Sequence, residues 1–275
     1  AFFENLIYPA RDSAHNNFEF VYLLPHIFYR YVDYSLGSPY NLFFGGNFNW
    51  RVSKNFQIYG QAILDDFIFS EFRKDIKHIL HPNDSTIVYG NWMNKYAVQI
   101  GFKWRTNNNN FLSRLEFNAA RPYTYSHKNP IQNFSNNGQP VAHPFEANFY
   151  EALFEASLIK KNWQFYFISF YKHIGYDSTG THFGQNIFQP TFDAYTGNNI
   201  PVKPFYNVIG QGNVERLIAT QINIMYKYKI NYVDVIYFGC GLEYRYSING
   251  DYNELIPFIR IQFNINNMHA WHSYN

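Results

Sequence analysis

The residues with the types and spacing best suited to metal chemistry are two pairs of histidines, each separated by three positions. His78 and His81 lie in "KHILHP", and His269 and His272 lie in "HAWH". On one helical turn such a pair could hold a metal ion. A structural zinc ion needs four ligands, however, and neither pair has a cysteine pair or an acidic partner arranged nearby. We therefore expect solvent-exposed histidines, with no metal and no other cofactor.

Two adjacent carboxylates, Asp65 and Asp66 in "LDDF", are a second candidate for chemistry. Neighbouring residues of a strand point to opposite faces, so the two could not act together as acid and base there. We expect a hydrogen-bonded position at the end of a strand instead. The sequence contains no Gly-x-Ser-x-Gly motif, phosphate-binding loop or nucleotide fingerprint. It therefore predicts that the protein is not an enzyme, and a serine–histidine site assembled across distant strands is the remaining catalytic alternative.

Two long polar tracts, residues 121–149 and 176–199, combine aromatic rings with amide and hydroxyl groups. This combination suits carbohydrate, because a sugar stacks its apolar face on a ring and forms hydrogen bonds at its edges. In the alternative interpretation, which is compatible with the first, the tracts fold over one another and plug the lumen of a barrel formed by the strands. The candidate binding residues for a glycan or a partner are Arg121, Tyr123, Tyr125, His127, Asn148, His182, Gln185 and Asn186.

The elements that would position these residues are strands, because apolar and polar residues alternate along much of the chain. In "YAVQIGFKW" (96–104), Val98, Ile100 and Phe102 would share one face and Gln99 and Lys103 the other. About ten such stretches occur, and most are close to the ~9–11 residues that a tilted strand needs to cross a bilayer. They are 18–34, 41–53, 55–67, 95–105, 111–121, 148–160, 162–173, 216–229, 233–247 and 254–265.

The links between these stretches alternate in length, which favours a transmembrane barrel. Short links at 53–55, 106–110, 160–162 and 230–234 alternate with long links at 68–94, 122–147 and 174–215. Outer-membrane barrels have tight turns on the periplasmic side and long loops outside, whereas a soluble sandwich has no reason to follow this rule. A soluble β-sandwich or barrel is the alternative. Residues 70–80 could form a short surface helix, and no apolar run approaches the ~18 residues of a membrane-spanning helix.

Composition agrees with a barrel whose apolar side meets lipid. The chain has 275 residues, of which 21% are aromatic and only 15% are charged, against about 25% charged in an ordinary globular domain. Its net charge of +2 and single cysteine, Cys240, indicate neither a nucleic-acid partner nor an intrachain disulfide. The charged residues expected on the inner, lumen-facing side are Lys103, Arg105, Arg114, Glu116, Glu151, Glu155, Glu243, Arg245 and Arg260.

Several stretches resemble a family of Bacteroidetes outer-membrane barrels described as Wzi-like in capsule assembly, with relatives of the RemB type in gliding motility. The resemblance rests on "YGQAILDDF", "GNWMNKYAVQIGFKW", "GQNIF" followed by "NVIGQG", and above all the tract at 121–149. It implies an all-β, antiparallel, up-and-down transmembrane barrel over residues 1–266, followed by a tail at 267–275. Members of the family have roughly eighteen strands. The ten strands expected here would then close on their own or form the C-terminal part of a larger barrel, and the resemblance favours the second.

The resemblance implies a non-catalytic role at the cell surface, in the outer membrane. The barrel would help to attach or organise capsular or other exopolysaccharide, or the adhesin machinery of gliding. Its expected partners are outer-membrane lipid and lipopolysaccharide, with surface polysaccharide or other envelope proteins and without nucleic acid. The alternatives are a porin-like channel, whose lumen charges would set ion selectivity, and a structural subunit of a larger outer-membrane complex.

Overall fold

The fold is built on one antiparallel sheet of ten strands. The computed structural model describes residues 1–7, 41–191, 202–229, 235–249 and 252–263. A two-stranded hairpin of β6 (Ser135–Asn136) and β7 (Gln139–Pro140) accompanies the sheet. The sheet comprises β1 (Phe2–Ile7), β2 (Asn41–Arg51), β3 (Phe56–Leu64), β4 (Tyr96–Arg105), β5 (Phe111–Ala120), β8 (Phe149–Lys160), β9 (Trp163–Tyr176), β10 (Asn213–Lys229), β11 (Val235–Ser247) and β12 (Asn253–Phe263).

Each strand of the large sheet pairs with the next one along the chain, in the order β1-β2-β3-β4-β5-β8-β9-β10-β11-β12. This order is an up-and-down meander, and it confirms the expected all-β antiparallel arrangement. Among the described residues, β1 is hydrogen-bonded only to β2 and β12 only to β11. The one α-helix among the described residues, α1 (Phe69–Leu80), lies in the link between β3 and β4. In the described part of the chain no helix has both the length and the apolar character needed to span a membrane.

Most strand predictions are confirmed to within a few residues at each end, as is the helix expected at 70–80. The sequence does not predict the strand β1 at residues 2–7, because six residues are too few to show a clear alternation of apolar and polar side chains. The stretch expected at 18–34 lies outside the described residues, as do the link at 230–234 and the tail at 267–275.

The register between strands separates two faces of the sheet. Along "YAVQIGFKW", Val98 and Ile100 are each 42% exposed, and their cross-strand neighbours are apolar too. We call this side the apolar face and the opposite side the polar face. The apolar face contains, among others, Phe44, Trp50, Ile58, Val98, Ile100, Trp104, Leu115, Phe117, Phe154, Phe165, Ile222, Ile224, Phe238, Leu242, Leu255, Ile259 and Ile261.

The links that join the strands differ in length at the two ends of the sheet. At one end, which we call the short-link end, residues 52–55, 106–110 and 161–162 connect successive strands. At the opposite, long-link end, the connections are 65–95, 121–148 and 177–212. The alternation predicted for these links is confirmed. The link from β11 to β12, residues 248–252, departs from it, because it is short although it lies at the long-link end.

The three long links fold together against the polar face at the long-link end. We call their described residues (65–95, 121–148, 177–191 and 202–212) the cap. Phe43, Ile63 and Phe149 belong to strands and are buried against Tyr125 and Ile187 of the cap. The expectation that the long tracts fold over one another is confirmed for their described residues, and residues 192–199 of the second tract lie outside them. The main apolar core of the molecule therefore lies between the cap and the sheet.

Candidate functional site

The second candidate tract, residues 177–191, is organised by the carboxylate of Asp177. Its two oxygens accept hydrogen bonds from four successive backbone amides, those of Phe183, Gly184 (3.2 Å), Gln185 (3.1 Å) and Asn186 (2.8 Å). Burial alone would raise the pKa of Asp177, but the adjacent His182 ring and these amides outweigh burial and hold that pKa below its usual value. The carboxylate therefore fixes the path of the tract.

Asn148 joins three segments of the cap and the sheet. Its side-chain nitrogen donates to the carbonyls of Gly175 (2.7 Å) and Gln211 (2.8 Å), and its oxygen accepts from the amides of Gly210 (2.7 Å) and Gln211 (3.2 Å). The side chain is fully buried, and the backbone of Asn148 has a positive φ of 57°. Asparagine tolerates this left-handed conformation better than most residues. The side chain thus acts as a junction, with both its polar atoms in use.

Tyr123 connects the two candidate tracts through both its backbone and its side chain. Its amide donates to the carbonyl of Gly184 at 2.8 Å, and its hydroxyl donates to the carbonyl of His182 at 2.9 Å. The ring meets the imidazole of His182 edge-on, with 5.0 Å between the centroids. Burial raises the pKa of Tyr123 to about 12, so the hydroxyl keeps its proton as a donor. His182 is itself buried, with Nδ1 3.9 Å from Asp177 Oδ2.

Arg121 holds helix α1 against the rest of the cap. Its guanidinium forms an ion pair with Asp75, the one buried residue of the helix, and donates to the carbonyl of Asn91 at 3.3 Å. The other oxygen of Asp75 accepts from the amide of Gly90 at 2.7 Å. Because both charges are removed from water, the pair is stabilising only as a unit, and loss of either partner would leave a buried charge.

Asp65 and Asp66 both approach one ammonium group, which corrects the expectation that they point to opposite faces of a strand. Lys95 Nζ lies 4.0 Å from Asp65 Oδ2 and 3.3 Å from Asp66 Oδ2. The physical reason is that β3 ends at Leu64, so strand alternation no longer applies to these residues. Asp65 also accepts from the amide of Tyr125 at 3.1 Å. The hydrogen-bonded position expected for the pair is confirmed.

His127 and the remaining candidates line the interior of the cap. The carbonyl of His127 accepts from the amide of Thr191 at 3.2 Å, and its ring Nδ1 accepts from the amide of Asn129 at 3.4 Å. Burial, followed by the positive charge of Lys95, lowers the pKa of His127 from 6.5 to about 4. Gln185 and Asn186 are half-buried, and their amides bond Asp177.

The structure therefore brings the eight candidate binding residues into one cap, at two neighbouring tracts. Five of them, Arg121, Tyr123, Tyr125, Asn148 and His182, are no more than 6% exposed. The side chains of Arg121, Tyr123 and Asn148 form their hydrogen bonds with the protein itself. In this conformation they shape the cap, and direct contact with a glycan or a partner stays a prediction.

The charges expected to face a lumen lie on the polar face, and five of them meet. Arg114 donates two hydrogen bonds of 2.8 Å to the carboxylate of Glu155, and its Nη1 lies 3.6 Å from Glu116 Oε2. Asn118 bridges Glu116 (3.1 Å) and Glu151 (3.0 Å). Tyr59 donates to Glu116, and Lys103 Nζ lies 4.8 Å from the centre of the Tyr59 ring.

The other four lumen-side candidates lie apart from this network. Glu243 and Arg245 pair with each other at 2.6 Å on β11. Arg260 lies over the ring of Phe258 on β12, at 5.7 Å. Arg105 donates to the carbonyl of Lys54 at 3.2 Å, at the short-link end. All nine share the polar face by register, and the lumen that this face would line stays a prediction.

A cleft of about 300 Å³ lies between the polar face and the underside of the cap. Gln61, Gln99 and Asn118 stand side by side on β3, β4 and β5 and line its sheet side, while Phe134 and His143 belong to the cap. Rows of amides offer donors and acceptors to an uncharged polar ligand. The sequence alone does not reveal this row. Alternation places Gln61, Gln99 and Asn118 on the same side of their strands, but only the register shows that they stand directly opposite one another.

Neither the comparisons with known proteins nor the arrangement of possible metal ligands assigns a function to the chain. No family model matches the chain, and neither a curated protein nor a solved structure matches it significantly. Across the described ranges, no three histidine, cysteine, aspartate or glutamate side chains are grouped so that they could hold a metal ion. The ring of His78 stacks on that of Tyr89, with 3.5 Å between the centroids, and His81 is exposed. His269 and His272 lie outside the described residues. The family resemblance stays a prediction.

Proposed function

We propose that this chain forms a transmembrane β-barrel, or part of one, in an outer membrane. The observation that carries the proposal is the apolar face, which crosses all ten strands. On that face the described charged side chains are Glu4 and Arg216, toward the long-link end, and Lys160, at the short-link end. A charge facing lipid at mid-depth costs about 2–4 kcal/mol, so a membrane would select for this distribution. Soluble monomers rarely expose a contiguous apolar surface that extends across a whole sheet.

Aromatic residues at the two ends of the apolar face support the proposal. Trp50, Trp104 and Trp163 are 61%, 45% and 47% exposed, and each stands beside a short link. Tyrosines such as Tyr96 and Tyr150 stand at the other end. Eight residue steps separate Tyr96 from Trp104, about 26 Å along a strand, or about 20 Å with a tilt of about 40°. Barrels have such aromatic girdles on either side of an apolar band about 25 Å tall.

The cap gives the proposed barrel a non-catalytic role at the cell surface. Its three segments are cross-linked by Tyr123, Asn148 and the Arg121–Asp75 pair. They cover the polar face at the long-link end, so the cap would fill the lumen there. We infer that the protein attaches or organises a surface polysaccharide or an adhesin through this end, with other envelope proteins as further partners.

A fluorophore attached to Cys240 tests the membrane placement directly. Cys240 is exposed on the apolar face near the middle of β11. In vesicles containing the folded protein, we expect a fluorophore on Cys240 to be quenched by brominated acyl chains and shielded from iodide in the water. Free quenching by iodide, without an effect of bromine, would refute the barrel.

A porin-like channel is a second candidate, supported by the charged network of Arg114, Glu116 and Glu155 on the polar face below the cap. Single-channel conductance in a planar bilayer separates the two functions. A plugged barrel is silent although it is inserted, whereas an open lumen gives steady, ion-selective steps. Such steps from the unaltered protein would favour the channel.

The surface role is tested in cells that lack the protein. We expect them to release surface polysaccharide or adhesin into the medium, and the unaltered protein to restore retention. Replacing Tyr123, Tyr125 and His127 together with alanine should abolish retention, because these side chains shape the cap. Full retention by that variant would show that the cap has no part in the function.

A further inference from the structure

Helix α1 exposes an apolar stripe on the outside of the cap. At about 100° per residue, its apolar side chains fall in one arc, beside the buried Asp75 that anchors the helix to Arg121. Most of this arc faces away from the protein. Phe69 is 65% exposed, Ile76 41%, Ile79 72% and Leu80 68%. A stripe of this size on a water-facing helix is costly unless something covers it.

The stripe is continuous with the apolar face of the sheet. Phe72, in the same arc, meets the ring of Tyr96 edge-on, with 5.8 Å between the ring centroids. The ring of Phe67 packs against both, with its centroid 5.3 Å from that of Phe72 and 6.1 Å from that of Tyr96. Tyr96 begins β4 on the apolar face at the long-link end. The helix therefore begins where the proposed lipid-facing band of the barrel ends.

Basic side chains border the stripe. Arg73 and Lys77 lie at its edge on the helical wheel, are exposed, and form no ion pair with the described residues. Next to them is a groove of about 610 Å³, lined by Lys74, Lys77 and His81 on one side and by Asp84, Thr86, Ile87 and Val88 on the other. Lys74 is paired with Glu71 at 2.6 Å, which leaves Arg73 and Lys77 as the available cations.

We propose that α1 lies flat in the membrane–water interface at the long-link end, with its stripe among acyl chains and Arg73 and Lys77 bound to phosphate groups of anionic lipid. The inference rests on the proposed barrel, which supplies the adjoining lipid. A helix with one apolar side and flanking basic residues binds a membrane surface in this way, because burial of the stripe and attraction to lipid phosphates act together.

A label on the helix measures its position. With Cys240→Ser removing the native thiol, a fluorophore on Ile79→Cys is examined in phosphatidylcholine–phosphatidylglycerol vesicles containing the folded protein. We expect shielding from iodide and quenching by bromine placed near the headgroup end of the acyl chains. The same label on Asn108→Cys, in an exposed short link, is the control and should be quenched by iodide.

Each other outcome overturns the inference. If iodide reaches position 79 as easily as position 108 while the Cys240 label is quenched by brominated chains, the barrel stands and the interfacial helix does not. If position 79 is shielded from iodide but insensitive to bromine, protein covers the stripe, either a second copy or another partner. If the Cys240 label is insensitive to bromine, the proposed barrel fails first.

Lipid selectivity tests the phosphate contact separately. The ratio of quenching by brominated phosphatidylglycerol to quenching by brominated phosphatidylcholine at position 79 should be several-fold above one, and should fall toward one in Arg73→Gln/Lys77→Gln. The matched control, Lys54→Gln/Lys160→Gln, removes two positive charges at the short-link end and should leave the ratio unchanged. An equal ratio in the unaltered protein and Arg73→Gln/Lys77→Gln would refute binding of lipid phosphate by these residues.

Discussion

Single buried polar side chains hold the cap together. Asn148 and Asp177 each satisfy four backbone hydrogen-bonding contacts, and neither lies in a strand. A buried backbone group left without a partner costs about 1–3 kcal/mol. The residue types that suggested sugar binding are thus the same types that a long, irregular loop needs to satisfy its own backbone.

Replacing Asn148 with alanine should destabilise the protein by about 2–4 kcal/mol, since four hydrogen bonds are lost and alanine is strained at this positive φ. The measurement is urea unfolding of the folded protein in detergent micelles. Asn137→Ala is the matched control, because Asn137 also has a positive φ, 50°, but is exposed in the turn between β6 and β7. Equal losses for the two variants would mean that backbone strain, and not the junction, carries the effect.

His127 should make the cap sensitive to acid. Its pKa is lowered from 6.5 to about 4 in the folded protein, by burial first and Lys95 second. Between these values the unfolded chain takes up a proton that the folded one does not, so stability falls as pH drops from 6.5 toward 4. His127→Asn should reduce this slope in the free energy of unfolding. His81→Asn, at an exposed site, should not, and an unchanged slope in His127→Asn would contradict the prediction.

At the scale of the element, each strand has to present two different surfaces. On β10, Ile222 is 48% exposed on the apolar face, while its neighbour Gln221 lies on the polar face opposite Glu243. A slip of one residue in the pairing of β10 would exchange these surfaces along the whole strand. The register is therefore as important to the proposed membrane placement as the sequence of any one strand.

Arginine in place of Ile222 should cost about 2–4 kcal/mol in lipid, whereas arginine in place of Gln221 should change stability by less than about 0.5 kcal/mol. The two variants differ by one position and add the same charge. Their unfolding free energies in lipid vesicles provide the comparison. Similar values for both variants would indicate that water reaches the apolar face.

The elements were the part of the fold most open to prediction. Long strands such as β11 show their alternation over many residues and are visible in the sequence, whereas residues 70–80 have no convincing helical period and indicated only a candidate helix. The six residues of β1 are too short for such a pattern. Asp65 and Asp66 were misplaced because a strand end is set by the contacts of the following loop, here with Lys95, and not by the pattern of the strand.

At the scale of the whole molecule, the two ends of the sheet should lie on opposite sides of a membrane. In a Cys240→Ser background, Asn108→Cys lies in a short link and Ser178→Cys in the cap. We expect a membrane-impermeant maleimide to label them from opposite sides of sealed vesicles with uniformly oriented protein. Asn55→Cys, in another short link, should follow Asn108→Cys. Labelling of 108 and 178 from the same side would contradict a spanning sheet.

The candidate site was harder to predict than the fold, because its contacts join distant parts of the chain. Composition located the two tracts, yet gave no sign that Tyr123 would bond Gly184 or that Lys95 would approach Ser126. Such pairs depend on which loops the sheet places at one end. Burial of the candidates follows from the same packing, and a single sequence contains no pattern that reports it.

The order of the sheet has a consequence for how the protein forms. Every strand of the meander pairs with its neighbours along the chain, so each new pairing closes only the loop formed by one link, and the sheet grows hairpin after hairpin. The cap closes much larger ones. The amide of Asn207 reaches the carbonyl of Gly90 across 117 residues, and Tyr125 reaches Asp65 across 60. We therefore expect the cap to close after the sheet, and to be the part that reopens first while the sheet stays intact.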